Sequence, residues 1–212
     1  MRPLLRALAG LLVDHAAADR VALQHPVGER LLGALWRARA VGELAGGRLR
    51  GAVQAGVMQI GSRANAHDAN AATNWLRICG REAQITVTDR LIFAGDAGIA
   101  AVPGSRIRMY GADHENYSTD PVAFRGMDNL RMIFSIGPED DLDWETYEVA
   151  GRDLGFVRKG FVDNFVLETL QVGGELDVGE LRLVDEFDNQ PDWDGAEALY
   201  VRHLIVTPGS RL

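Results

Sequence analysis

Leu130-Arg131-Met132-Ile133-Phe134-Ser135-Ile136 is the stretch on which the fold turns. Leu130, Met132 and Phe134 alternate with Arg131, Ile133 and Ser135, the period of a strand that lays one face on a core. Working outward, short runs of the same kind recur on both sides. Val53, Ala55 and Val57 alternate, and residues 75–78, 84–88, 91–93, 106–110, 144–149, 164–172, 180–184 and 199–206 follow as strand-like segments. Turn formers separate them: Gly95-Asp96, Pro103-Gly104, Gly137-Pro138, Gly173-Gly174 and Asn189-Gln190-Pro191. Many short strands with no helical pattern between them predict a mainly β layer fold. Loops as long as 111–121 and 185–196 favour a jelly-roll-type antiparallel β-sandwich over an immunoglobulin-like one, whose Cys…Trp…Cys spacing is absent.

The first 50 residues read differently. Leu4, Leu5, Leu8, Leu11 and Leu12 fall on one helical stripe, so a helix is expected over 2–24. His25-Pro26 would end it, because the residue before proline avoids the α region. A second helix is expected over 27–45, with Val27, Leu31, Leu35 and Leu44 near one face and Gly46-Gly47 as its stop. Arg2 and Arg6 ahead of an apolar run imitate a secretory signal, but Asp14 interrupts it early and an amphipathic helix is the better reading. The expected division is a two-helix attachment segment, 1–50, ahead of a sandwich, 51–212. No run approaches the roughly 20 apolar residues of a membrane span.

Composition narrows the function. The chain has 212 residues and a formal net charge of −8, and its only lysine is Lys159. Phosphate recognition needs clustered cations, so a nucleic-acid partner is not expected. Cys79 is the sole cysteine, which rules out an intramolecular disulfide; it reads as a small apolar side chain beside the strand at 75–78.

The segment Asp143-Trp144-Glu145-Thr146-Tyr147-Glu148-Val149, then Phe165-Val166-Leu167, then Gly179-Glu180-Leu181-Arg182-Leu183-Val184, resembles the later strands of carbohydrate-binding-module and galactose-binding-like jelly rolls. That resemblance implies a non-catalytic sandwich, glycan binding by loop aromatics, and a structural calcium ion. The helical residues 1–45 depart from that family. An attachment segment ahead of a jelly roll resembles phage virion proteins such as fibres, spikes and decoration subunits.

Candidate chemistry gathers in polar loops. Trp193 lies in Asp192-Trp193-Asp194-Gly195, and Tyr117 in His114-Glu115-Asn116-Tyr117-Ser118, where no core periodicity explains a ring. An exposed ring offers a flat face to a pyranose, and Asn116, Asp192 and Asp194 would accept hydrogen bonds from its hydroxyls. Against this stands the plainer reading that each ring folds back to plug the end of the sandwich. Acids cluster at Glu139, Asp140, Asp141, Asp143 and Glu145, and again at Asp185, Glu186, Asp188, Asp192 and Asp194. Calcium takes six to eight oxygens from such loops, so Asp185, Asp188, Asp192 and Asp194 are the candidate ligands, with a solvated acidic loop as the alternative. Neither cluster has the EF-hand spacing. His67 and His114 each adjoin a carboxylate and read as surface loop histidines.

No nucleophile elbow, phosphate-cradling glycine loop or dinucleotide fingerprint is present. The expectation is therefore a non-enzymatic, surface-displayed binding module of a larger assembly, a homo-oligomer in a virion or at an extracellular surface. Its partners would be a glycan or cell-surface polysaccharide and the other subunits, with calcium as the one cofactor to consider. The alternatives are a purely structural capsid or tail subunit, and a glycan-active hydrolase that uses paired carboxylates.

Overall fold

The computed structural model describes residues 21–23, 40–42, 48–49, 52–61, 72, 74–79, 83–136, 144–175 and 177–212. Its principal sheet is curled and mostly parallel. Leu130–Ser135 lies between Ser105–Tyr110 and Leu167–Val172 and runs parallel to both. Outward from there, Ala52–Ile60, Gln84–Phe93 and Val201–Val206 continue the same parallel order. The expected antiparallel jelly-roll sandwich is thus corrected. The expected N-terminal helix pair is corrected too: Val21–Leu23 and Ala40–Gly42 are strands paired antiparallel with each other. The remainder of both helical expectations lies outside the described residues.

Parallel neighbours need a crossover that carries the chain back to its starting end. Here strands on other faces supply it. Ala97–Ala101 pairs parallel with Asn74–Ile78 on a third face. Asp113–Asn116 pairs parallel with the far half of Gln84–Phe93 and meets Glu145–Glu148, which in turn pairs with Leu181–Val184. The chain therefore winds as a coil, and each turn lays new strands beside those of the turn before. Ala52–Ile60 and Gln84–Phe93 bend from the first face to the second where the register shifts between Ala55 and Val57. A β-bulge makes that corner.

In-register stacking turns the strand alternation into inward rows. On the first face one row runs Val53, Ile85, Ile107, Met132, Leu170, Leu204. Beside it runs Ala55, Val87, Met109, Phe134, Val172, Val206. From Ile85 to Val172 these side chains are fully buried. On the third face, the 3-10 helix Pro121–Asn129 covers Ala97–Ala101. Asp120 caps it by accepting hydrogen bonds from the Val122 and Ala123 amides, and Ala123, Phe124 and Met127 point into the core. Gly126 is required there, because a Cβ would collide with the Ile99 carbonyl.

The coil ends open. Leu204 and Val206 hold inward positions in the last turn yet are 50% and 44% exposed, and Leu183 on the second face is 43% exposed. Cys79, expected to be buried, is exposed at the end of its strand.

Candidate functional site

The second face differs from the first in what it buries. Its inward row runs Met58, Leu91, His114, Tyr147, Leu183. His114, read from sequence as a surface histidine, is buried and stacks on Tyr147 at 4.3 Å and 15°. Neither ring nitrogen has a hydrogen-bond partner among the described residues. Burial holds its pKa down at about 3, so the ring is neutral. Asn116, Glu145 and Glu148 are buried nearby.

Those polar groups hold the segment that follows Leu181–Val184. One Glu148 carboxylate oxygen accepts the Glu186 and Phe187 amides at 2.9 and 2.8 Å. The Asn189 side chain, fully buried, donates to the Asn116 and Ser118 carbonyls at 3.1 and 2.7 Å. Gln190, also buried, donates through its side chain to the Ala150 carbonyl at 2.8 Å and accepts from the Arg152 guanidinium at 2.8 Å. Its amide donates to Glu197 and Asp188. Burial pushes the Glu148 and Glu197 carboxyls up to about 7, against the pull of the backbone donors. Among the neighbouring charges that raise them further, Asp185 acts on both.

The loops at 111–120 and 188–195 singled out in the sequence are therefore brought together, stapled by Asn189. Tyr117 is half-buried, donates its hydroxyl to Glu115 at 2.8 Å and meets Phe187 edge-on at 5.2 Å. Trp193 is half-buried, its indole N–H reaches the Ala196 carbonyl at 3.3 Å, and the Arg152 guanidinium lies 5.8 Å from its ring centre. Both rings fold partly back, as the plainer reading anticipates, and neither disappears into the core. Asn116 is 3% exposed; its side chain accepts the Ser118 amide at 3.0 Å and shapes the turn. It is a scaffold residue, out of a ligand's reach.

Asp185, Asp188, Asp192 and Asp194 are exposed along the loop. Asp188 is committed in part to capping the Gln190 amide. Among the described residues, no group of three or more His, Cys, Asp or Glu side chains is gathered for a metal ion. Of the first acidic cluster, Glu139, Asp140, Asp141 and Asp143 lie outside the described residues. So does His67.

Asn189 and Gln190 are the residues that sequence reading missed, because Asn-Gln-Pro reads as a turn. The rim that results presents carboxylates, one indole and one phenol on a fixed backbone. Such a surface can stack on a flat apolar face and accept hydrogen bonds from hydroxyls. Comparison with protein-family models, with curated proteins and with solved structures finds no match for the chain.

Proposed function

We propose that the chain is a non-catalytic display module whose second-face loops bind a polyhydroxylated ligand, a glycan or cell-surface polysaccharide. One observation carries the reading: the buried Asn189 amide locks loop 185–197 onto 114–120, and the Glu148 and Glu197 carboxylates hold the loop's own backbone, leaving Trp193, Asp192 and Asp194 on the rim. Preorganisation of this kind lowers the ordering cost of binding. The buried carboxylates favour binding over hydrolysis. Glu148 has one oxygen taken by two backbone amides and is 5% exposed, so it serves as a structural cap.

Copies of the chain would assemble through the open end of the coil, where Leu183, Leu204 and Val206 lack a covering layer. The reading is tested on a glycan array, with and without calcium. Signal is expected from the wild-type chain and loss of it from Trp193→Ala. An array without signal under either condition contradicts the reading.

A further inference from the structure

We propose that the turn at 154–162 is a shallow anchor that inserts into an anionic lipid surface. Phe156 is 98% exposed, and Val157 and Val162 beside it are 48% and 64% exposed. A single exposed apolar residue means little, but three at the tip of one turn form a continuous apolar point. Arg158 and Lys159 follow directly, both exposed and without an ion pair or hydrogen-bonding side-chain partner among the described residues. Of the flanking acids, Asp163 is paired with Arg125 at 2.5 and 2.7 Å, which leaves Asp153, bonded to the Gly155 amide at 2.9 Å, as the one acid against two cations. In a chain of net charge −8, this tip is locally cationic and calls for an anionic partner.

The stem is rigid. The Tyr200 hydroxyl accepts the Leu154 amide at 2.8 Å and donates to the Gly155 carbonyl at 3.0 Å. Gly160 packs against the Tyr200 ring where no Cβ would fit, and Phe161 meets that ring edge-on at 5.2 Å. Asn164 ties the Gly160 carbonyl to Arg152.

Two features favour lipid over a protein partner. The tip is convex, so a protein would need a preshaped pocket, whereas a bilayer deforms around it. Part of the backbone is also satisfied within the turn: the Val157, Gly160 and Val162 amides donate to the Gly155, Val157 and Lys159 carbonyls. That lowers the cost of leaving water. Aromatic and aliphatic side chains would enter the interface while Arg158 and Lys159 meet headgroup phosphates. This inference goes beyond the glycan reading and does not depend on it.

The test is flotation of the full chain with vesicles of phosphatidylcholine alone and of phosphatidylcholine mixed with phosphatidylserine. Binding to the mixed vesicles is expected, with Phe156→Ser weakening it about tenfold. Replacing Arg158 and Lys159 together by Ser should abolish the preference for the anionic lipid. The unfolding midpoint of Phe156→Ser should match wild type, because so exposed a ring supports nothing. No binding to mixed vesicles, or unchanged binding by Phe156→Ser, overturns the proposal. Retention on immobilised polyglutamate without vesicle binding also overturns it and assigns the tip to an acidic protein.

Discussion

On the first face of the coil the inward row passes through Ile85, Ile107, Met132 and Leu170, none more than 1% exposed. On the second face the corresponding row passes through Leu91, His114 and Tyr147. The strand pairing and parallel register are alike, but the filling is not. An apolar row stabilises by burial alone. A row that admits an imidazole and is flanked by buried Asn and Glu side chains gives up some of that gain, since each polar group must find a partner or remain unpaired. On the second face most of those partners are backbone groups of the loops. The polar interior and the fixed loops are therefore one feature. The first face is held by apolar burial alone, and the second face holds the fixed loops that are proposed for display.

The contrast can be broken from either side. The largest effect is expected from Phe134→Ala on the first face, which opens a cavity in a fully buried row and should cost about 3–5 kcal/mol in urea unfolding. Asn189→Ala should cost less, about 1–3 kcal/mol, because two carbonyls lose their donor. Unlike Phe134→Ala, it should speed amide exchange locally across 116–118 and 186–190. A uniform increase over the whole coil would mean that the staple is only a core contact.

His114→Phe tests the polar row through pH. The folded pKa lies below the usual 6.5, so the folded state binds fewer protons. The stability linked to His114 is present above about 6.5 and lost as pH falls toward 3. The Phe variant should stay within about 1.5 kcal/mol of wild type at neutral pH and gain on it steadily as pH falls through that window. Parallel melting curves for the two proteins from pH 7 to 4 would refute a buried neutral imidazole.

Glu148→Gln should give a pH dependence of the opposite sign. Its folded pKa, about 7, lies above the usual 4.5. The folded state therefore binds the extra proton, and that contribution is lost as pH rises from about 4.5 through 7. Gln keeps an oxygen for the Glu186 and Phe187 amides without a charge to bury. Its melting temperature should gain on wild type as pH rises from 5 to 8, and a constant difference would argue against burial as the cause.

Much of the β content was legible because alternation reports a half-buried strand whatever its direction. Residues 130–135, 145–148 and 181–184 all lie within segments read as strands. Strand direction was not legible. Ala97–Ala101 has small residues on either side of a single Ile99 and Asp113–Asn116 is wholly polar, so neither shows a strand pattern and neither reads as a strand. Those two strands supply the crossovers before and after Ser105–Tyr110. Without them, parallel neighbours look like antiparallel ones joined by short turns. The polar loops were legible as loops. What held them was not, because a buried Asn or Gln that bridges to distant carbonyls leaves no local pattern.

The division into scaffold face and display face is tested most directly by amide hydrogen exchange, with and without the glycan that gives the strongest array signal. The expected result is added protection across 114–120 and 185–197, with 130–135 and 167–172 unchanged. Protection confined to the first-face strands, with the loops unaffected, would contradict it.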